Sequence, residues 1–369
     1  MTTVRIDGLR IESLATRWAA AGFVGGAVVV ILLGGPPRPL AGDGSLGGVA
    51  AWVAAAFSAV AFAVSFLIEE RRGQLAWRAR IPVIKRVVDL VATAIAVAAL
   101  SYFIVLAVAN VFQLGFIGLT VEAWGGGVLA GAAVAAVTFS AVLIGSRPTS
   151  VGVAVLATLV LFAGTFASML SAPDQSWWQL HFSQLGNNAG MSGNRFNFSL
   201  IITGLVLTVL ANYLGHDIER GLSVRGADSP RKVRILTWLF AGIGVCMMIV
   251  GLVPDAVAFP VHVGAGSGMV VVFAAFSFYF FGSVPGLPRE VLGLTLLVMV
   301  GVVIALLLWV PIGYYSLAGM EFVAAGLLFA WLLAFVRAVA AYAEAPDAGR
   351  AGGPVSQQEA PLDALPLDD

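Results

Sequence analysis

Two histidines and two carboxylates in the second half of the chain are the side chains best suited to acid–base chemistry. His181 lies in a long polar interruption between apolar runs, and Glu321 opens the last apolar run. Asp255 and His262 flank a short turn that contains two prolines. Histidine changes its charge near neutral pH, and a neighbouring carboxylate can orient its ring. We therefore predict a catalytic site in which the two histidines transfer protons and the two carboxylates orient them.

Five further side chains are candidates for contacting a ligand, and all lie in the central loop, which we define as residues 171–197. Arg195 could hold an anionic head group, and Ser183 and Asn197 could form hydrogen bonds. Trp177 and Trp178 suit the boundary between water and lipid, where aromatic rings are enriched. Ser183 lacks the G-x-S-x-G context of a strained nucleophile turn, so we assign it to binding.

The sequence predicts no metal ion and no cofactor. Zinc needs three or four ligands, the single cysteine, Cys246, falls in an apolar run, and His216 is predicted on the opposite membrane side. The stretch GAGSG at 264–268 resembles a phosphate loop, but it opens an apolar helix and no strand precedes it. We interpret its small residues as a close contact between helices.

Composition defines the class of protein that must position these residues. Hydrophobic residues make up 60% of the 369 residues, charged residues make up 11%, and the mean hydropathy is +0.96. A soluble domain could not cover so much apolar surface, so the lipid bilayer must act as the solvent. The formal net charge is zero, which argues against a nucleic-acid partner. Membrane lipids are the expected partners, and the sequence predicts no oligomeric state.

Ten apolar runs predict an all-α, polytopic transmembrane bundle, because each is near the roughly 20 residues that a 30 Å hydrocarbon layer requires. A polar arm, residues 1–17, precedes the first run, which we predict to be an uncleaved helix. We divide the chain into a four-helix region (1–150), a six-helix region (151–342) and a disordered acidic tail (343–369). The runs are 18–33, 49–68, 87–112, 128–144, 151–170, 198–214, 235–253, 263–281, 291–310 and 317–342.

The distribution of positive side chains predicts the orientation of the bundle. Placing the N-terminus inside leaves only Arg38 and Arg195, of the 20 Lys and Arg residues, on the outside. The positive-inside rule then predicts two cytoplasmic termini and an outward-facing central loop in the inner (plasma) membrane. The middles of the predicted helices carry no charged residue, which argues against an ion-coupled carrier with a midplane carboxylate.

The second half of the chain resembles the DUF998 family of bacterial membrane proteins, whose layout is similar to that of the Frag1/DRAM/Sfk1 group. The resemblance covers about residues 151–342, and it implies no specific reaction because the function of DUF998 is unknown. The Frag1-like relatives are associated with lipid remodelling and membrane homeostasis. The matching patterns are HFSQLG at 181–186, FN at 196–197, VGLVPD at 250–255, HVGA at 262–265, and GME at 319–321.

We therefore expect the protein to bind or remodel a lipid or lipid-linked molecule at the outer leaflet. This hypothesis requires His181 to lie within about 11 Å, or two helical turns, of His262 or Glu321. One alternative is a permease for a small neutral or amphiphilic solute that passes Asn110 or Asn212. The other is a non-catalytic structural or partner-binding protein, whose outer polar residues would pair only with each other and line no pocket.

Overall fold

A computed structural model describes residues 2–33, 35–72, 75–188 and 190–344 of the chain. These residues form eleven α-helices, two short 3₁₀ turns and one antiparallel pair of two-residue strands. The helices are α1 (Thr2–Leu33), α2 (Leu46–Arg71), α3 (Val83–Gly115), α4 (Ala123–Ser146), α5 (Ser150–Leu170), α6 (Gln184–Asn187), α7 (Met191–Val224), α8 (Pro230–Leu252), α9 (Asp255–Ser283), α10 (Arg289–Trp309) and α11 (Leu317–Glu344). The two strands are β1 (Arg38–Pro39) and β2 (Thr120–Val121), which pair antiparallel.

Ten of the helices in the described part of the chain are long and apolar enough to span a membrane, which confirms the predicted all-α polytopic bundle. The exception is the four-residue helix α6. The predicted polar arm 1–17 is helical from Thr2 onwards, because it continues the first span and Arg10 pairs with Glu69 on α2. The predicted acidic tail begins inside α11, which ends at Glu344; its residues from 345 onwards lie outside the described part of the chain.

Helix α7 is the centre of the bundle, since it packs against α3, α5, α8 and α11. Hydrophobic attraction does not drive helices together in lipid, so close van der Waals packing must do so, and small residues permit it. Gly204 on α7 and Gly244 on α8 each lie so close to the other's carbonyl oxygen that neither position has room for a Cβ atom. The two glycines therefore set the short distance between these helices.

One continuous hydrophobic core joins the two halves of the chain. It runs from α2 and α3 through α5 and α7 to α11. The first helix packs mainly on α4, where Gly26 lies against the backbone of Gly131. The boundary that we placed at residue 150 stays a prediction. Helices on its two sides are in direct contact, since α3 packs on α5 and α7.

The ten spans alternate in direction, so α1 begins and α11 ends at the same end of the bundle, which we call the terminal end. The opposite end, which we call the loop end, carries the strand pair β1–β2, the central loop, and the connections from α8 to α9 and from α10 to α11. The predicted catalytic residues all belong to segments at the loop end.

Candidate functional site

Three consecutive residues of the central loop contact three different parts of the bundle. The first of them, His181, places Nε2 3.2 Å from Oδ2 of Asp255, at the start of α9. The second, Phe182, donates its backbone N–H to Oε2 of Glu321, in the second turn of α11, at 2.5 Å. These contacts join segments that are far apart in the sequence, and they bring three of the predicted catalytic residues together.

The third residue, Ser183, contacts the remaining histidine. Its Oγ lies 3.1 Å from Nε2 of His262, while Nδ1 of His262 lies 2.8 Å from the carbonyl oxygen of Val253. A carbonyl oxygen can only accept, so Nδ1 must carry the hydrogen in this contact. In the neutral ring Nε2 is then an acceptor, and the hydroxyl of Ser183 donates to it.

Short turns and an aromatic anchor hold residues 181–183 in place. The backbone N–H of Gln184 donates to the carbonyl of His181 at 3.1 Å, which reverses the chain direction just before α6. The Phe182 ring lies edge-on to Phe196 on α7 and Phe322 on α11, with centroid separations of 5.6 and 6.0 Å. Edge-to-face packing of this kind stabilises an aromatic cluster, so Phe182 fixes the loop while its neighbours present polar groups.

A kink in α9 positions Asp255 and His262. The backbone of Ala258 is extended (φ −152°, ψ 84°), and Pro260 follows it. Proline lacks an N–H and its ring clashes with the carbonyl four residues earlier, so the helix breaks and starts again at Pro260. We predicted the eighth span to begin near Val263, but helical structure starts at Asp255, because one separate turn precedes the kink.

The predicted ligand-binding residues of α7 contact the ends of the central loop. Arg195 donates from Nη1 to Oγ of Ser171 at 2.8 Å, just after α5. Asn197 donates from Nδ2 to the carbonyl of Gly186 at 2.9 Å, which fastens α6 to α7. Neither makes a hydrogen bond to residues 181–183 in the described part of the chain, and their ligand-binding roles stay predictions.

The two tryptophans of the central loop form a 3₁₀ turn with Gln179. The ring of Trp177 is half-buried and packs edge-on against Phe182, with centroids 5.8 Å apart. Trp178 is exposed. Such an arrangement suits an amphipathic segment at the membrane surface, with one ring packed on the protein and the other facing outward.

The first half of α9 is less buried than its second half, although it packs on α8 and Ala265 is buried. No residue from Asp255 to Gly264 is buried, whereas Phe273, Phe276 and Phe280 are. A Cβ atom added at Gly264 or Gly266 would meet nothing within 4 Å. The close helix contact that we predicted for GAGSG is therefore wrong at these two glycines, because they face away from the neighbouring helices.

Aromatic packing holds only the second half of α9 against α11. The ring of Phe273 lies edge-on to Trp331 with centroids 4.7 Å apart, and Phe280 lies edge-on to Phe335 at 4.8 Å. Helices α9 and α10 barely touch. An exposed, largely apolar face therefore runs along the first half of α9, next to His262, and we call this face the lateral gap.

Sequence reasoning missed a buried ionic network at the terminal end. Arg78 is 1% exposed and lies 3.2 Å from Glu70 and 3.9 Å from Asp89. Asp89 also accepts from Nδ2 of Asn212, at 3.3 Å to each carboxylate oxygen. We attributed the basic residues of this region to membrane orientation alone. The signal that could have found the network is an acidic residue, Asp89, two turns into a span.

Two cavities lie beside this network. One, of about 200 Å³, is lined mainly by apolar residues of α2, α3 and α5 together with Tyr213. The other, of about 210 Å³, is lined by Asn212 and by the stacked rings of Trp77 and His216, whose centroids are 4.5 Å apart. None of the predicted site residues lines either cavity. Among the described residues, no three His, Cys, Asp or Glu side chains gather as metal ligands would.

The fold and the cluster define a multi-pass helical membrane protein with a polar site at one end of its second half. The model of a family described as "Protein of unknown function (DUF998)" matches residues 155–338, about half of the chain, and this stretch contains every predicted site residue. The chain belongs to the DUF998 family. No curated protein and no solved structure matches it. The similarity of layout to the Frag1/DRAM/Sfk1 group stays a prediction.

Proposed function

We propose that this protein binds or remodels a lipid or lipid-linked molecule in the leaflet at the loop end. The observation that carries the proposal is the meeting of α9 and α11 on three consecutive loop residues, His181 to Ser183, beside the lateral gap. Ligand sites combine apolar walls with a few convergent polar groups. A polar cluster that opens sideways into lipid suits a molecule with a polar head and an apolar chain.

Apolar side chains next to the cluster offer a surface for such a chain. Val257 and Phe259, on the two sides of the kink in α9, are 76% and 64% exposed, and Phe322 on α11 is also exposed. Exposed apolar surface rimmed by polar groups marks interaction sites with ligands or membranes. In the proposed complex, the head group meets the cluster and the chain lies along the lateral gap.

We place the site at the outer leaflet of the inner (plasma) membrane. Among the described residues, Arg38 and Arg195 are the only Lys or Arg residues that belong to the loop end, and the positive-inside rule assigns such an end to the outside. A membrane-impermeant maleimide added to intact cells should label Ser176→Cys in the central loop. It should leave Arg289→Cys, at the terminal end, unlabelled. The reverse pattern would contradict this orientation.

The permease alternative gains no support from its two candidate amides. Asn212 is held by Asp89, and Asn110 donates to the carbonyl of Leu106 on its own helix. The structural alternative predicts that the outer polar residues pair only with each other and line no pocket. In the described part of the chain His181 pairs with Asp255 and Ser183 with His262, and no predicted site residue lines either cavity, so the geometry fits this alternative as well. The experiment below separates it from lipid binding.

The test measures the lipids that co-purify with the full-length protein, by mass spectrometry after extraction in mild detergent. We expect Glu321→Ala and His181→Ala to lose a retained lipid about tenfold, because each removes one charge-assisted contact. Asp174→Asn is the matched control, since Asp174 is exposed in the same loop. Unchanged lipids in folded variants would contradict the proposal. Lower melting temperatures with unchanged lipids would show that the cluster stabilises the fold and does not bind lipid.

A second arm tests the lateral gap. Gly266 lies one helical turn after His262 on the same face of α9, and a Cβ there meets nothing within 4 Å. We expect Gly266→Leu to fill the gap and reduce the retained lipid without lowering stability. Gly282→Leu is the control, because Gly282 is equally open but lies at the other end of the same helix. Equal lipid retention in both variants would show that the gap holds no lipid.

A further inference from the structure

The Ser183–His262 contact has the geometry of a nucleophile and its base. An activated serine needs a base within about 2.6–3.2 Å and a third group that orients the base. Nε2 of His262 lies 3.1 Å from Ser183 Oγ, and the carbonyl of Val253 orients the ring from the other side. Both side chains are half-buried, so a substrate can still reach them.

We propose that Ser183 cleaves a carboxylic ester of the bound lipid, with His262 as its general base. This inference rests on the proposed function, because the substrate is the lipid held at the same site. It adds a reaction class, acyl-ester hydrolysis, and assigns Ser183 the role of nucleophile.

The charges around Ser183 favour an ester over a phosphate as the reacting group. Glu321 accepts from the residue before Ser183, and Asp255 pairs with the residue two before it. Among the described residues, neither contact brings an unpaired cation to Ser183 that could balance a phosphoryl group, which is anionic before the attack begins. Arg195, the cation of α7 in this region, is turned towards Ser171. A neutral ester carbonyl needs no such balancing charge in its ground state.

The proposed reaction has two balanced steps. Ser183 Oγ attacks the carbonyl carbon while its proton passes to His262 Nε2; the bond from that carbon to the alcohol oxygen then breaks, and His262 returns the proton to the leaving alcohol. Water, deprotonated by His262, next attacks the acyl group on Ser183. The acyl–serine bond breaks, the serine recovers its proton, and a carboxylic acid leaves.

The backbone limits which group can stabilise the oxyanion. The N–H groups of residues 184, 185 and 186 donate to the carbonyls of residues 181, 182 and 183, so they are not free for this task. His181 uses Nε2 for Asp255, which leaves Nδ1 without a partner among the described residues. In our proposal the imidazolium form of His181 donates from Nε2 to Asp255 and from Nδ1 to the developing oxyanion.

The experiment uses a fluorophosphonate with a long alkyl chain, which reacts covalently with base-activated serines, on the full-length protein in nanodiscs. We expect one adduct, on Ser183, detected by intact-mass and peptide mass spectrometry. His262→Gln should slow the labelling at least about a hundredfold, because a general base contributes that much or more. Ser183→Ala should take no adduct, and Ser176→Ala, an exposed serine in the same loop, should label as the wild type does.

Melting curves and lipid retention are measured on the same samples. Ser183→Ala removes one oxygen atom, so it tests the idea even if His262→Gln loosens the loop. A fluorogenic oleate ester should be hydrolysed by the wild type and not by Ser183→Ala. A folded wild type that retains its lipid but takes no adduct on Ser183 would overturn the hydrolase inference and leave lipid binding intact. Labelling at Ser183 without a retained lipid would instead count against the proposed function.

Discussion

Replacing Arg78 by methionine should destabilise the bundle strongly, because the side chain is the buried centre of an ionic network. Its guanidinium contacts Glu70 at 3.2 Å, the hydroxyl of Tyr213 at 3.3 Å and the carbonyl of Arg86 at 3.0 Å. It also lies 3.9 Å from Asp89, which is only 4% exposed. Removing one partner of a buried ion pair costs about 3–5 kcal/mol, since the other charge is left uncompensated. At roughly 2 °C per kcal/mol, the melting temperature should fall by about 6–10 °C.

A double-mutant cycle tests whether the uncompensated charge is the cause. Asp89→Asn alone should change stability little, because the amide can still bond to Asn212. Combining it with Arg78→Met should recover about 1–3 kcal/mol of the loss, since no buried carboxylate then remains at residue 89. Thermal unfolding in detergent measures all three variants, with the exposed Arg289→Met as the control. The reasoning is refuted if Arg78→Met melts within about 2 °C of the control, or if the double variant is the least stable of the set.

Two further predictions concern the helix contacts that hold the site. Gly204→Leu should cost at least about 1–3 kcal/mol, because the carbonyl of Gly244 occupies the space that the side chain needs; wild-type melting in this variant would contradict the close contact of α7 and α8. Asn197→Ala should cost about 1 kcal/mol and speed proteolysis of the central loop, because it frees the carbonyl of Gly186 from α7. An unchanged cleavage rate would show that this bond does not fasten α6.

The sequence predicted the bundle well, because hydropathy identifies the spans and the alternating direction of successive spans determines the end at which each connection lies. Every predicted span corresponds to a helix, since a polar backbone in lipid must satisfy its hydrogen bonds internally. Once ten spans alternate, the central loop, Asp255 and Glu321 must lie at one end. Convergence at that end was therefore predictable, and His181 does pair with Asp255.

Individual partners were not predictable, because they depend on local backbone geometry. The kink at Ala258 decides where Asp255 and His262 lie on α9, and proline alone does not say whether helical structure continues before it. The glycines at 264 and 266 also show that sequence alone does not determine contacts. Small residues permit close contact between helices but do not require it, and these two face open space.

The contact between Ser183 and His262 shows why the absence of a sequence motif cannot exclude a serine–histidine pair. G-x-S-x-G describes one way to expose a serine next to its base, namely a strained turn between a strand and a helix. An all-helical membrane protein has no such turn, so the motif's absence carries little information here. The imidazole that contacts Ser183 instead lies 79 positions away, on His262 beyond a proline kink. Its orientation comes from the carbonyl of Val253, a backbone group that any residue type provides. Neither partner leaves a local sequence signal near Ser183, so only the folded chain could place the two side chains together.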